Sequence, residues 1–113
     1  MGIKNLSEGV ILVDLPGEPK MVREMRRIIK VVGDGSRCDV VLDFSAVDMV
    51  SSPSLALLLR LRQLLIGCGC RIAFCNLNTL TMSTFRVTGL DGIFRFFDDT
   101  SAALAEFQKQ SVS

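Results

Sequence analysis

The chain has 113 residues, of which 49% are hydrophobic and 22% are charged. This composition is typical of one globular domain and excludes a disordered or collagen-like chain. The chain has 13 Lys and Arg residues and 12 Asp and Glu residues, which gives a net charge of +1. Because nucleic-acid-binding domains normally carry a strong basic excess, we expect no nucleic-acid partner. We predict that residues 1–113 form a single domain.

Histidine is absent from the sequence, and this argues against catalysis. Histidine is the commonest general base, and without it neither a Ser/His/Asp nor a Cys/His arrangement is possible. Two pairs of carboxylates remain, Asp39 with Asp43 and Asp98 with Asp99. Carboxylates at strand ends and helix starts are ordinary structural features. We therefore predict a non-enzymatic protein with no catalytic residues and no cofactor.

Four cysteines are present, at positions 38, 68, 70 and 75. A closed zinc site needs four ligands, usually as two spaced pairs, and this spacing does not match. The chain also starts without a secretion signal, which favours a reducing compartment where disulfides are rare. We predict four free cysteines, no metal and a cytoplasmic location. We expect no membrane insertion, because no apolar run reaches about 18 residues.

The first third of the chain alternates between strand and helix patterns. A short extended piece at residues 3–6 and a β-branched run at 10–15 are predicted strands. In residues 20–32 the apolar side chains recur at spacings of three and four, which predicts an amphipathic helix. Residues 39–44 are a predicted strand whose uninterrupted apolar centre is typical of a strand that is covered on both faces.

The other face of the predicted helix at 20–32 is basic. Its cations are Lys20, Arg23, Arg26, Arg27 and Lys30. A solvated face is the simplest interpretation. An acidic partner or lipid headgroups would also fit this face.

The next helix begins with a recognisable signal. Ser52 is the predicted N-cap and Pro53 the first helical residue, since serine before proline is common at helix starts. The Leu-rich residues 55–66 follow, and only a narrow strip of them is polar. A helix of this kind is either deeply packed or has one side free for a partner.

The remaining elements continue the alternation. They are a strand at residues 71–76, a helix at 79–87 that ends before Gly89, a short strand at 93–97 and a last helix through 102–107. Strands that alternate with helices predict a mostly parallel sheet with right-handed crossovers. The predicted fold is therefore α/β, with a four- to five-stranded mixed sheet and about four helices mainly on one face.

The junction between the central strand and the Leu-rich helix resembles the STAS domain, the family of sulphate transporters and anti-sigma factor antagonists. The resemblance begins with residues 42–47 (LDFSAV), followed by Ser51-Ser52 and the Leu-rich helix. Later segments that agree in order and spacing are 69–72 (GCRI), 87–94 (VTGLDGIF) and 98–104 (DDTSAAL). The resemblance covers residues 10–107, essentially the whole chain.

The resemblance implies a single STAS-like domain with a regulatory function. Antagonists of this family bind a serine protein kinase that doubles as an anti-sigma factor. The kinase inactivates them by phosphorylating a serine at the N-terminus of the helix after the central strand. By its spacing from Asp43, that serine is Ser52 in this chain. The family's usual pattern is Asp-Ser-Ser/Thr-Gly, whereas residues 51–54 read SSPS, without the acidic residue and the glycine.

We expect the chain to act by binding a protein through the start of this helix and the neighbouring helix that begins near Leu80. The candidate partner-binding residues are Ser51, Ser52, Pro53, Ser54 and Leu55. The first candidate function is a switchable antagonist that binds an anti-sigma factor/serine kinase. The alternative is a non-phosphorylated STAS subunit that docks on a membrane transporter or a larger signalling assembly. Ser52 is either the phosphorylated residue or a helix cap alone.

Overall fold

The computed structural model describes residues 3–7, 9–35 and 37–111. Its strands are β1 (Ile3–Ser7), β2 (Val10–Asp14), β3 (Asp39–Asp43), β4 (Ile72–Cys75) and β5 (Phe96–Phe97). Its helices are α1 (Lys20–Gly33), α2 (Ser52–Gly67), α3 (Thr79–Val87) and α4 (Thr100–Ser111), and a short 3-10 turn at Leu90–Gly92 precedes β5. The predicted alternation of strands and helices is confirmed.

The strands form one mixed sheet. Their order across the sheet is β1-β2-β3-β4-β5. The first two strands pair antiparallel, and all the other pairs are parallel. Each parallel pair is joined through one of the helices α1, α2 and α3, as parallel strands require. The carboxyl ends of β2, β3, β4 and β5 therefore lie along the same edge of the sheet.

The two faces of the sheet are covered unequally. Helices α1, α2 and α3 pack on one face, against side chains such as Val40, Leu42 and Phe74. Helix α4 alone covers the other face, where Val41 is buried with Phe107. Because successive strand residues point to opposite faces, β3 is buried on both, as its apolar run indicates. The prediction of helices mainly on one face is confirmed.

A cluster of phenylalanines joins α3 to the central strands. Phe74 of β4 stacks on Phe94, with ring centroids 4.5 Å apart, and its ring centroid lies 5.0 Å from that of Phe44. Phe85 of α3 contacts the same rings, at centroid distances of 5.5 Å from Phe74 and 6.0 Å from Phe94. These contacts hold the second half of α3 against β4 and the end of β3.

The last strand is shorter than the sequence indicates. The apolar run at 93–97 predicts five strand residues, but only Phe96–Phe97 pairs with β4. Gly89 ends α3 with a left-handed backbone (φ +77°), which suits glycine. The 3-10 turn that follows leaves Ile93 outside the sheet, 40% exposed, while Phe94 enters the core from the loop. The predicted strand at 93–97 is therefore wrong in its first three residues.

Candidate functional site

The candidate site is the segment between β3 and α2, at the carboxyl edge of the parallel strands. Phe44 is the first residue after β3, and its N–H donates the last hydrogen bond to β4, to the carbonyl of Cys75 at 3.0 Å. The Asp43 carboxylate accepts hydrogen bonds from the Ser45 N–H at 2.9 Å and the Asn76 amide at 3.1 Å. Partial burial raises the pKa of Asp43, but these hydrogen bonds outweigh burial and hold the pKa below its ordinary value. Asp43 is thus an ionised structural anchor.

The start of α3 holds the middle of this segment. The Asn78 side chain caps α3 and also donates to the carbonyl of Val47 at 3.2 Å. The buried Thr81 hydroxyl donates to the carbonyl of Asp48 at 3.2 Å. Val47 and Val50 are buried and act as apolar anchors. The segment is therefore fixed along its length.

Ser51 caps α2, so the prediction that Ser52 is the N-cap is wrong. Ser51 has an extended backbone (φ −80°, ψ 164°), and its hydroxyl oxygen accepts the Ser54 N–H at 3.3 Å. Ser52 is the first helical residue and Pro53 the second. The first N–H groups of a helix have no intrahelical acceptor, so proline costs no hydrogen bond at either position. This is why the sequence does not distinguish the two serines.

Glu18 is a site residue that the sequence did not reveal. Its carboxylate lies at the start of α2 and accepts the Ser51 N–H at 2.8 Å. Burial raises the pKa of Glu18, but hydrogen bonds from Ser54 and Ser51 outweigh burial and lower the pKa. A carboxylate is also favoured at the positive end of a helix dipole. Glu18 lies in the turn before α1, far from α2 in the chain, so no local pattern links the two.

The serines at the start of α2 differ in accessibility. Ser54 is completely buried, and Ser51 is half-buried and engaged as the cap. Ser52 is exposed, and within the described residues its hydroxyl has no hydrogen-bond partner. Ser52 is therefore the hydroxyl that another protein can reach. Ser54 lies inside the domain.

Exposed apolar side chains lie in the segment before Ser52 and on α3. Met49, in the preceding segment, is 58% exposed, and Leu80 and Val87 on α3 are 63% and 84% exposed. Leu80 and Val87 line a shallow cleft of about 310 Å³ on the outer face of α3. Leu80 and Val87 are seven residues apart and so lie on the same face of α3. We call Met49, Ser52, Pro53, Leu80 and Val87 the docking surface.

The Leu-rich helix itself is deeply packed, which settles the alternative that the sequence left open. Leu58, Leu61 and Leu65 are fully buried. The half-buried leucines Leu55, Leu57, Leu59 and Leu64 pack against the same core. Packing thus explains most of the apolar circumference of α2. Ile66, near the end of the helix, is 53% exposed, and Leu80 and Val87 on α3 are more exposed still.

Metal ligands, membrane-spanning helices and thiols concern the described part of the chain as a whole. No group of three or more cysteine or acidic side chains in it is arranged to hold a metal ion. None of its helices has both the length and the apolar character needed to cross a bilayer. Cys38, Cys68, Cys70 and Cys75 are free thiols.

Comparison with known families gives one match. The model of the STAS domain matches residues 22–103, from the first turn of α1 into α4. No curated protein sequence matches this chain.

Several solved structures share the fold. An anti-sigma factor antagonist from Mycobacterium paratuberculosis is 23% identical, with a TM-score of 0.76 over 92% of this chain and 89% of that one. A sulfate transporter family protein from Wolinella succinogenes is 14% identical, with a TM-score of 0.83 over 97% and 93%. The Bacillus cell fate determinant SpoIIAA in its phosphorylated form is 16% identical, with a TM-score of 0.70 over 93% and 96%. At identities this low, the structural similarity establishes a common fold and nothing more.

Proposed function

Since the chain belongs to the STAS domain family, we propose that it is a non-enzymatic, protein-binding regulator of the anti-sigma factor antagonist type. Its partner in this proposal is an anti-sigma factor that is also a serine kinase, and its output is the control of transcription in the cytoplasm. The kinase switches binding off by phosphorylating Ser52. Structural similarity to anti-sigma factor antagonists supports the proposal at the level of fold.

The observation that carries the proposal is that Ser51 caps the helix while the neighbouring Ser52 is exposed. Ser51 caps α2, so Ser52 is not needed for the cap. Ser52 instead presents a free hydroxyl to solvent, within the docking surface. A residue that is dispensable for the helix and accessible to a kinase is suited to reversible modification.

Phosphorylation at Ser52 would act on the partner more than on the domain. A phosphate adds about −1.5 to −2 charges at neutral pH. At the first turn of α2 this charge lies near the positive end of the helix dipole, which tolerates it. Docking against Met49, Pro53 and Leu80 would bury the new charge among apolar side chains. The cost of removing it from water opposes docking.

The first experiment locates the phosphate. The purified chain is incubated with ATP and the serine kinase anti-sigma factors of the organism that produces it, and tryptic peptides are analysed by mass spectrometry. We expect one phosphate in the peptide of residues 38–60, at Ser52. Ser52→Ala should abolish the label, and Ser51→Ala should retain it. Label at Ser51 or Ser54 would contradict the assignment.

The second experiment measures binding to the same kinase by calorimetry. Ser52→Asp should weaken binding at least about tenfold, and Ser52→Ala should bind like the parent protein. Leu80→Asp should weaken binding without loss of stability, because Leu80 is 63% exposed. Binding that is unaffected by both acidic substitutions would refute the proposed docking surface.

A second candidate function is favoured by the charge of α1. Arg23, Arg26, Arg27 and Lys30 are all exposed, and the single acidic residue of this helix, Glu24, is buried. This basic face suits an acidic surface on a transporter or a larger signalling assembly. The test is a paired charge reversal, Arg23→Glu with Arg26→Glu. Loss of partner binding in this variant, with none in Ser52→Asp, would favour the non-phosphorylated subunit over the antagonist.

A further inference from the structure

Cys38 and Cys70 occupy matching positions at the edge of the sheet opposite Ser52. In the parallel pair of β3 and β4, Val40 lies beside Ile72. Cys38 and Cys70 lie just before the two strands, and extending this register back by two residues on each segment would place them side by side. The ladder continues towards them, since the Val40 N–H donates to the carbonyl of Arg71 at 2.9 Å. Neighbouring strands lie about 4.8 Å apart, which is within the Cα–Cα range of a disulfide, about 4.4–6.8 Å.

The two thiols also lie on the same face of the sheet. The adjacent residues, Asp39 and Arg71, point towards α4, because the Arg71 guanidinium lies 4.6 Å from the centroid of the Phe107 ring. Side chains alternate along a strand, so Cys38 and Cys70 point the other way. Both pack against the core beneath α1 and α2.

An ion pair holds the two segments in this register. Arg71 Nη2 lies 2.6 Å from Asp39 Oδ2, and the Arg71 N–H donates to Asp39 Oδ1 at 2.7 Å. Each partner is the residue that follows one of the two cysteines. The geometry that brings Cys38 and Cys70 together is therefore fixed by the folded chain.

The surroundings of the pair allow a small oxidant to reach it. Cys38, Cys68 and Cys70 line an open cleft of about 310 Å³. Burial raises the pKa of Cys38, and the neighbouring Cys70 and Asp39 raise it further. A raised pKa leaves little Cys38 thiolate near neutral pH, so oxidation of the pair should be slow there and faster as the pH rises.

We propose that Cys38 and Cys70 are an oxidation site, at which hydrogen peroxide forms an intramolecular disulfide. One thiolate attacks the peroxide, the O–O bond breaks, and sulfenic acid and one water are formed. The second sulfur then attacks the sulfenic sulfur. The S–S bond forms, the S–O bond breaks and a second water leaves. Two thiols and one peroxide thus give one disulfide and two waters.

This disulfide would close a loop that contains β3, the candidate site and α2. A cross-link of this kind restricts the unfolded chain. The structure around Ser52 would then be harder to open under oxidising conditions than under reducing ones. The inference is independent of the proposed function, because it depends on neither Ser52 nor a partner.

The test uses the full chain at low concentration with hydrogen peroxide. We expect the intact protein to lose about 2 Da, the two thiol hydrogens. Digestion with trypsin without reduction should link the peptide of residues 38–60 to that of residues 63–71. The same treatment in urea should form the link at least about tenfold more slowly, because the register no longer holds the thiols together.

The variant Cys68→Ser is the matched control, since Cys68 lines the same cleft without a place in the strand register. It should form the link as fast as the parent protein, whereas Cys70→Ser should not form it. Any of three results would overturn the inference: four thiols that remain alkylatable, a link between Cys68 and Cys70, or equal rates in urea and buffer.

Discussion

Replacing Ser51 by alanine should destabilise the domain, because it removes the cap of α2. The hydroxyl of Ser51 accepts the Ser54 N–H at 3.3 Å and lies 3.2 Å from the Ser54 hydroxyl. A lost serine cap costs about 0.5–2 kcal/mol. Ser54 is completely buried, so water does not readily replace the lost acceptor. We therefore expect Ser51→Ala to lower the free energy of unfolding by about 1.5 kcal/mol.

The matched control is Ser52→Ala, one residue further along the same turn. Ser52 is exposed and its hydroxyl has no partner among the described residues, so the change should stay within about 0.5 kcal/mol. Urea titrations followed by circular dichroism measure both variants, with the comparison restricted to curves of equal slope. In a thermal scan, Ser51→Ala should lower the melting midpoint by about 6 °C. Equal losses in the two variants, or a larger loss for Ser52→Ala, would refute the assignment of the cap.

Two further predictions concern the anchors of the site. Glu18 has a lowered pKa in the folded state, so its contribution to stability is present above the unfolded-state pKa and is lost as the pH falls below about 4. Between pH 7 and pH 3.5, urea titrations should therefore show a larger loss of stability in the parent protein than in Glu18→Gln; an equal loss would be inconsistent with this role. Asn76 has a left-handed backbone (φ +60°) and donates to Asp43. Asn76→Ala and Asn76→Gly both remove this hydrogen bond, but only glycine adopts a left-handed backbone without strain. In thermal scans Asn76→Ala should therefore be about 1 kcal/mol less stable than Asn76→Gly; the reverse order would contradict this prediction.

The sequence predicts the fold well because its signals are local and repeated. The spacing of Met21, Met25 and Ile28 indicates the buried face of α1, and all three are fully buried. The apolar run of β3 likewise predicts a strand that is covered on both faces. Where the prediction is wrong, two local signals compete. The pattern at 93–97 favours a strand. Gly89 and the 3-10 turn that follows it direct the chain so that residues 93–95 lie in a loop and pairing begins only at Phe96.

The site is less predictable, because its hydrogen bonds join distant parts of the chain. Ser51 and Ser52 have the same side chain, and Pro53 fits either assignment of the cap. The choice depends on which serine adopts the extended backbone next to Glu18, in the turn before α1. Asn78 is recognisable as a residue type that caps helices, but its hydrogen bond to Val47 appears only when α3 is placed beside β3.

The order of strands across the sheet is also their order along the chain. Each strand pairs with the one synthesised just before it, after a connection that contains at most one α-helix. The entropy lost on closing each connection is modest, since it grows only slowly with length. The sheet can therefore grow strand by strand as the chain leaves the ribosome. The candidate site depends on residues that are synthesised at different times. Glu18 is made before the segment between β3 and α2, and Asn78 is made after it, so the docking surface is complete only when α3 has emerged.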